Sequence, residues 1–180
     1  DSLSITQIKK DGGSNSTVSS GSSYNSNGTS IVGTYGTLTI GADGSYKYVA
    51  DQAAADVLDQ GDQVNDVFIY TLSDGTDETT ANITITVTGL NDDPTAVNDS
   101  NEVNAEQTVT KATSGVGILE NDSDVDGDDS PTVVRVSFSG TTVNPPAGST
   151  YNSNGVSITG TFGTLTIGAD GSYTYTADQA

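Results

Sequence analysis

The chain contains no cysteine, histidine, methionine or tryptophan. Without cysteine there are no disulfides, so any staple in the fold is of another kind. The absence does not assign a compartment, because cysteine-free chains occur on both sides of a membrane. Without histidine and cysteine the usual zinc, copper and haem sites are excluded, as are most nucleophile–base pairs. Positive charge is scarce as well: five Lys and Arg stand against 24 Asp and Glu, a formal net charge of −19. Such a chain repels phosphate and cannot bind nucleic acid by counterion release. The same sign argues against an anionic membrane surface. No hydrophobic run approaches the roughly 20 residues needed to span a bilayer, so no membrane insertion is expected. No signal peptide is visible. The sequence starts and stops abruptly and reads as a window cut from a longer chain.

What remains is oxygen. Carboxylates and carbonyls are hard ligands, and they suit calcium. Acidity with little hydrophobic content also describes disordered chains, but here aromatic and β-branched residues recur at period two, which points to strands.

A length of 180 residues allows one large domain or two small ones, and an internal repeat favours two. Residues 24–53 read YNSNGTSIVGTYGTLTIGADGSYKYVADQA, and residues 151–180 read YNSNGVSITGTFGTLTIGADGSYTYTADQA; 25 of the 30 positions match, at an offset of 127. Upstream, DSLSITQIKKDG at 1–12 resembles DSPTVVRVSFSG at 129–140. The period is too long for a solenoid unit and suits a whole tandem domain. The division expected is a first repeat over 1–90 lacking its N-terminal strands, an acidic linker over 91–95, and a second repeat over 96–180 lacking its C-terminal strands.

Within 36–50, Leu38 and Ile40 alternate with Thr37 and Thr39, and Tyr46 and Tyr48 alternate with Lys47 and Val49. The intervening GADG supplies turn glycines, so the segment is a hairpin with one apolar face. Lys47 and Val49 become Thr174 and Thr176 in the second copy while both tyrosines stay, which assigns the tyrosines to the inner face. A second hairpin is expected over 66–88. Phe68, Tyr70 and Leu72 face one way on its first strand; Ile83, Ile85 and Val87 alternate with Thr and Asn on its second. Residues 51–62 allow one or two helical turns. Shorter strands are expected near 3–8, 29–34, 102–110 and 132–138. Many strands separated by turns indicate an all-β antiparallel sandwich. Asp66 four residues before Tyr70 resembles the tyrosine corner of immunoglobulin-like domains; a plain core tyrosine is the alternative.

The acids are not evenly spread. Residues 91–129 carry eleven of the 24, with Lys111 as the one base among them, and ENDSDVDGDD at 120–129 packs six carboxylates into ten residues. Asp122, Asp124 and Asp126 alternate before Gly127, with Asp128 following. This resembles the first half of an EF-hand loop, in which alternating carboxylates converge on one ion. The twelfth position is Val133 rather than Glu, so the loop is not an EF-hand but the same ligand logic on a β-scaffold. NDDP at 91–94, with Asp99 after it, resembles the calcium-binding linker of cadherins. The candidate Ca2+ ligands are Asn91, Asp92, Asp93, Asp99, Asp122, Asp124, Asp126 and Asp128. The alternative is a solvated acidic loop and a flexible acidic linker. Asp74, Asp77 and Glu78 are a weaker candidate. Ligands of this kind fit a calcium-rich exterior rather than a cytoplasm.

Taken together, PTAVND, GILENDSDVDGD, GTLTIGADGSYTYTADQ and DVFIYTLSDGTDETTANITITVTGLNDDP resemble the VCBS and cadherin-like (immunoglobulin-like) tandem repeats of large bacterial surface adhesins. That resemblance covers nearly the whole chain. It implies immunoglobulin/cadherin-like β-sandwiches in tandem, type I secretion, and an extracellular or cell-surface location. It also implies a structural rather than enzymatic role, as a calcium-stiffened extender. The partners implied are neighbouring repeats of the same chain and cell-surface or matrix ligands reached through other modules. Two alternatives stand beside it: a self-assembling extracellular filament subunit, and a carbohydrate- or cell-binding module using Tyr24 and Tyr151 in the YNSNG turns. An enzyme is the least expected, since short acidic loops suit chelation better than paired-carboxylate hydrolysis.

Overall fold

A computed structural model of the chain describes residues 2–127 and 129–178. It divides into two compact units, Asp1–Asp92 and Asp93–Ala180.

Unit 1 contains β1 (Ser4–Lys10), β2 (Ser16–Thr17), β3 (Thr29–Val32), β4 (Thr37–Ile40), β5 (Tyr46–Val49), a single helical turn α1 (Ala53–Asp56), β6 (Gln63–Ser73) and β7 (Glu78–Thr88). The strands form two antiparallel sheets, ordered β2-β1-β6-β7 and β3-β4-β5. Their facing sides close over one core: Ile5, Ile8, Val18 and Phe68 from the first sheet and its connections, Leu38, Ile40 and Ala42 from the second. This is the packing that half-apolar sheets require.

On β4 the alternation works as read: Leu38 and Ile40 are buried and the threonines between them are not. The threonine face pairs its hydroxyls across strands, Ser30 with Thr39 at 2.8 Å. β1 breaks period two. Ile5 and Ile8, three residues apart, are both buried, because the register against β6 shifts between Ile5 and Gln7. That irregularity is a β-bulge, which turns the following side chain to the opposite face. β6 and β7 form a long regular ladder from Gln63 opposite Thr88 to Ser73 opposite Glu78. The Asp74 carboxylate closes their turn by accepting the N–H groups of Thr76 and Asp77, each at 2.8 Å, and Gly75 takes a φ of 96°.

Unit 2 contains β8 (Thr108–Lys111), β9 (Val136–Phe138), β10 (Thr141–Val143), β11 (Val156–Thr159), β12 (Thr164–Ile167) and β13 (Tyr173–Thr176). They form a four-stranded sheet, β11-β12-β13-β8, and a β9-β10 hairpin. The buried residues Val133, Ile167 and Tyr173 gather Val109, Leu119, Val136 and Leu165 around them.

The repeat is structural as well as sequential. Leu38 lies opposite Tyr48 and Leu165 opposite Tyr175, in the same register. Both units pin the glycine turn between these strands in one way: the Ser22 and Ser149 hydroxyls accept the N–H of Ala42 and Ala169, at 3.0 and 2.9 Å. Gly41 and Gly168 sit against the backbones of Ser23 and Thr150, where a Cβ has no room.

The units differ in what flanks the shared three strands. In unit 2, β8 pairs with the outer edge of β13, and Asn101 donates to the Tyr173 hydroxyl at 2.7 Å. Tyr173 is 7% exposed, whereas its counterpart Tyr46 is 50% exposed. The inward assignment of Tyr46 is therefore corrected: it stands half-exposed on β5, the edge strand of the described β3-β4-β5 sheet. Conversely, unit 2 shows no counterpart of β6 and β7 among its described residues. Leu165 is half-buried where Leu38 is fully buried.

Candidate functional site

The acidic loop of unit 2 brings three carboxylates together. Oxygens of Asp124, Asp126 and Asp129 lie within 4.8 Å of one another, and no other group of three or more carboxylates does so among the described residues. Asp126 is 4% exposed, Asp124 is half-buried and Asp129 exposed. The curl is local: Asp124 Oδ1 accepts the Asp126 N–H at 3.1 Å, and the Asp129 N–H reaches the Asp126 carbonyl at 3.4 Å. This spacing fits calcium. Oxygens bound about 2.3–2.6 Å from one ion are at most about 5 Å apart. Three carboxylates supply between three and six of the six to eight oxygens that calcium takes.

The loop is tied to the segment that follows the unit boundary. Thr95 and Ser123 exchange backbone hydrogen bonds of 2.7 and 3.0 Å. Asp122 Oδ1 accepts the Val97 N–H at 2.7 Å, and the Asn121 amide donates to the Asn98 carbonyl at 3.4 Å. Asp122 thus anchors the loop, and Asp129, which the alternating spacing did not include, stands with Asp124 and Asp126. Asn91, Asp92 and Asp93 are exposed; the Asn91 amide donates to the Asp92 carbonyl. Asp99 is exposed too, and its charge adds to burial in raising the Tyr173 hydroxyl above its ordinary range. Asp128 lies outside the described residues. Asp74, Asp77 and Glu78 form no such group, and the Asp74 carboxyl is held low by its backbone hydrogen bonds.

A second carboxylate arrangement was not read from the sequence. Asp66 on β6 is 2% exposed and reaches across to the β3–β4 turn. Its Oδ1 accepts the Thr34 N–H at 2.7 Å, and its Oδ2 accepts the N–H groups of Tyr35 and Gly36 at 3.0 and 3.1 Å. The Tyr48 hydroxyl donates to the same Oδ2 at 2.6 Å. Burial raises this carboxyl, but the four donors together outweigh it and hold Asp66 below the usual carboxylate range. The Tyr48 hydroxyl is pushed well up, first by desolvation and then by the hydrogen bond to Asp66 and its charge. The Tyr70 hydroxyl has no hydrogen bond among the described residues, so the tyrosine corner is not formed. Tyr48, not Tyr70, delivers the buried hydroxyl. Gly33 borders this latch, and a Cβ there would overlap the Asp66 carboxylate.

An antiparallel sandwich of this kind, repeated and with carboxylates gathered in its loops, is an immunoglobulin-type, cadherin-like domain. Residues 2–89 match the bacterial cadherin-like domain, and unit 1 belongs to that family. Over 155 residues, 85% of this chain, the sequence is 31% identical to the calcium-binding lectin RapA2 of Rhizobium johnstonii. The chain spans 61% of that relative's length. No helix among the described residues is long and apolar enough to cross a membrane.

Proposed function

We propose that the chain is a non-enzymatic adhesion module of an extracellular bacterial surface protein, in which cadherin-like sandwiches in series are stiffened by calcium. The division into repeats is part of the proposal: 1–90, a linker at 91–95, and 96–180. The observation that carries it is the convergence of Asp124, Asp126 and Asp129 within 4.8 Å, in a loop bonded to the segment just after the linker. Residues 96–180 hold only two bases, Lys111 and Arg135, against eleven acids, so side chains of opposite sign cannot neutralise the loop. A divalent cation can, and the relative's printed name makes calcium the natural choice. In this reading the repeats hold adhesive modules at a distance.

A lectin-like reading has one observation of its own. Tyr24 is 41% exposed in the YNSNG turn, and the matched relative is named a lectin. Glycan-array binding by the chain, lost on Tyr24→Ala, would favour it over the extender.

The test of the main reading is thermal melting with calcium and with a chelator. A ligand that binds only the folded state stabilises it by about 2.7 kcal/mol at a hundredfold excess over Kd. For a unit of under 100 residues this raises Tm by roughly 10–20 °C. Replacing Asp124 and Asp126 with Asn should abolish the rise. Identical melting of the parent chain in calcium and chelator would remove the reading.

A further inference from the structure

The acidic loop of unit 2 is held at both ends by residues that stand outside its cluster of three carboxylates. Beyond its exit, the Val133 N–H donates to the Ala169 carbonyl at 2.9 Å, and Val133 belongs to the buried core of the unit. At its entry, residues 121–123 are clipped to residues 95–98. Thr95 and Ser123 form an antiparallel bridge, each N–H reaching the other's carbonyl, at 2.7 and 3.0 Å. The Val97 N–H donates to Asp122 Oδ1 at 2.7 Å, and the Asn121 amide donates to the Asn98 carbonyl at 3.4 Å.

Ser123 directly precedes Asp124, so the stretch of backbone that Thr95 holds is the one that aims the first clustered carboxylate. Asp124 Oδ1 in turn accepts the Asp126 N–H at 3.1 Å, and the Asp129 N–H reaches the Asp126 carbonyl at 3.4 Å. A line of hydrogen bonds therefore runs from Thr95 and Val97, through residues 122 and 123, to the three carboxylates whose oxygens lie within 4.8 Å. Asp122 has a different place on this line from the one its spacing suggests. By alternation it is the first ligand; in the fold its Oδ1 meets a backbone N–H and it stands outside the group of three. A bond of this length from an N–H to a carboxylate is of the strong, charge-assisted kind. Bringing like charges together costs free energy. A loop already held at its entry and exit meets part of that cost before any cation arrives, which is preorganisation.

We propose that Asp122 is a positioning residue for the cation site, acting through the Val97 N–H, and that the clip between 95–98 and 121–123 couples that site to the start of unit 2. The proposal rests on the calcium reading of Asp124, Asp126 and Asp129 and adds a direction of action to it. A clip that preorganises the loop raises its affinity for the cation. By reciprocity, a cation that favours the curled loop strengthens the clip by the same factor. Residues 95–98 thus become firmer when the loop is neutralised, and a charge cluster within a loop stiffens the chain at the unit boundary. The role belongs to the acceptor atom of Asp122: an amide carbonyl at this position can take the same N–H, whereas a methyl group cannot.

The test compares Asp122→Asn with Asp122→Ala in the full 180-residue chain. Both remove the same charge, so their difference reports the hydrogen bond. Calcium chloride is titrated in a calorimeter, and amide hydrogen exchange of Thr95, Val97 and Ser123 is followed in calcium and in chelator. In the parent chain calcium should slow exchange at these three amides by about fivefold or more, the lower end of a typical coupling between sites. Asp122→Ala should bind calcium about fivefold or more weakly than Asp122→Asn, and its Val97 amide should exchange fast in both conditions. Asp124→Asn should lose calcium whatever stands at 122. Slow exchange at the Ile167 and Tyr173 amides checks the fold of unit 2 in each variant. No calcium uptake by the parent chain would overturn the calcium reading and this proposal together. Uptake with equal affinity in the two Asp122 variants, or with unmoved exchange at Thr95 and Val97, would overturn the proposal and leave the calcium reading intact. A loss in Asp122→Asn as deep as that in Asp124→Asn would make Asp122 a ligand, and would overturn the proposal as well.

Discussion

Removing the Asp66 carboxylate should unfold unit 1 selectively, and the structure sets the size of the effect. Asp66→Ala strands four donors. Thr34 is exposed and Tyr35 half-buried, so water can reach their N–H groups; Gly36 is buried and the Tyr48 hydroxyl partly so. A buried donor without a partner costs about 1–3 kcal/mol, and hydrogen bonds to charged groups are worth about 1.5–3 kcal/mol. With the cavity left behind, about 3–5 kcal/mol is lost, out of the roughly 5–15 kcal/mol that holds a domain together. Tyr48→Phe removes only the 2.6 Å bond and should cost about 1.5–3 kcal/mol.

If the latch is one unit, the two substitutions are not additive: once Asp66 is gone, Tyr48→Phe has little left to remove. The coupling energy in a double-mutant cycle should then approach the Tyr48→Phe cost. Urea unfolding of the full chain supplies the assay, with the amide signals of Ile8 and Leu38 reporting unit 1 and those of Ile167 and Tyr173 reporting unit 2. Additivity within about 0.5 kcal/mol, or an Asp66→Ala cost below about 1 kcal/mol, would refute the reasoning.

Two further outcomes follow from the same geometry. Gly33→Ala should destabilise unit 1 by about 1–3 kcal/mol or more, since its Cβ forces the held Asp66 carboxylate aside, whereas Gly160→Ala should change the stability of unit 2 by less than about 0.5 kcal/mol; equal effects in the two urea transitions would contradict this. On the pH axis, Asp66 is held below the value of an unfolded carboxyl and Tyr48 above that of an unfolded phenol. The Asp66 contribution is therefore complete above about pH 4 and is lost as pH falls through the folded value. The Tyr48 contribution is complete below about pH 10 and is lost as pH rises through its folded value. Urea midpoints of unit 1 should form a plateau between these limits, and Tyr48→Phe should flatten the alkaline fall; an unchanged alkaline slope in that variant would show that Tyr48 is not its cause.

Much of the fold is legible because its signals are local. Alternation places Leu38 and Ile40 inward without any knowledge of what covers them, and the β6–β7 turn announces itself in SDGTDE. Non-local features are not legible in this way. Period two cannot tell that β8 pairs with β13, so Tyr46 and Tyr173 read alike although, among the described residues, Tyr173 is buried and Tyr46 half-exposed. Nor can it foresee the bulge that puts both Ile5 and Ile8 in the core. Asp66 was paired by spacing with Tyr70, on its own strand, whereas its real partners are on the opposite sheet, 18 to 32 residues away. The available signal was the repeated GTYG and GTFG, glycines whose purpose is clear only when a carboxylate is set against them. In the acidic loop, counting outward from Asp122 presumed that the loop curls about its first residue. It curls instead about Asp126, because Asp122 is engaged by the Val97 N–H.

The two carboxylate sites express one electrostatic constraint. A carboxylate removed from water needs compensation at close range, and a chain with five bases among 180 residues has few salt bridges to offer. Where the backbone can turn its N–H groups toward the carboxylate, as at Asp66, the fold supplies that compensation itself, and the group becomes a tie between sheets. At Asp124, Asp126 and Asp129 the local hydrogen bonds have the opposite effect: the Asp124 turn curls the loop and brings like charges together. That costs stability unless a cation enters. The first arrangement should therefore hold unit 1 together with or without metal, and the second should make unit 2 depend on it. Chelation would lower the unit 2 transition alone, so the separation of the two melting events measures how far the acidic loop relies on calcium.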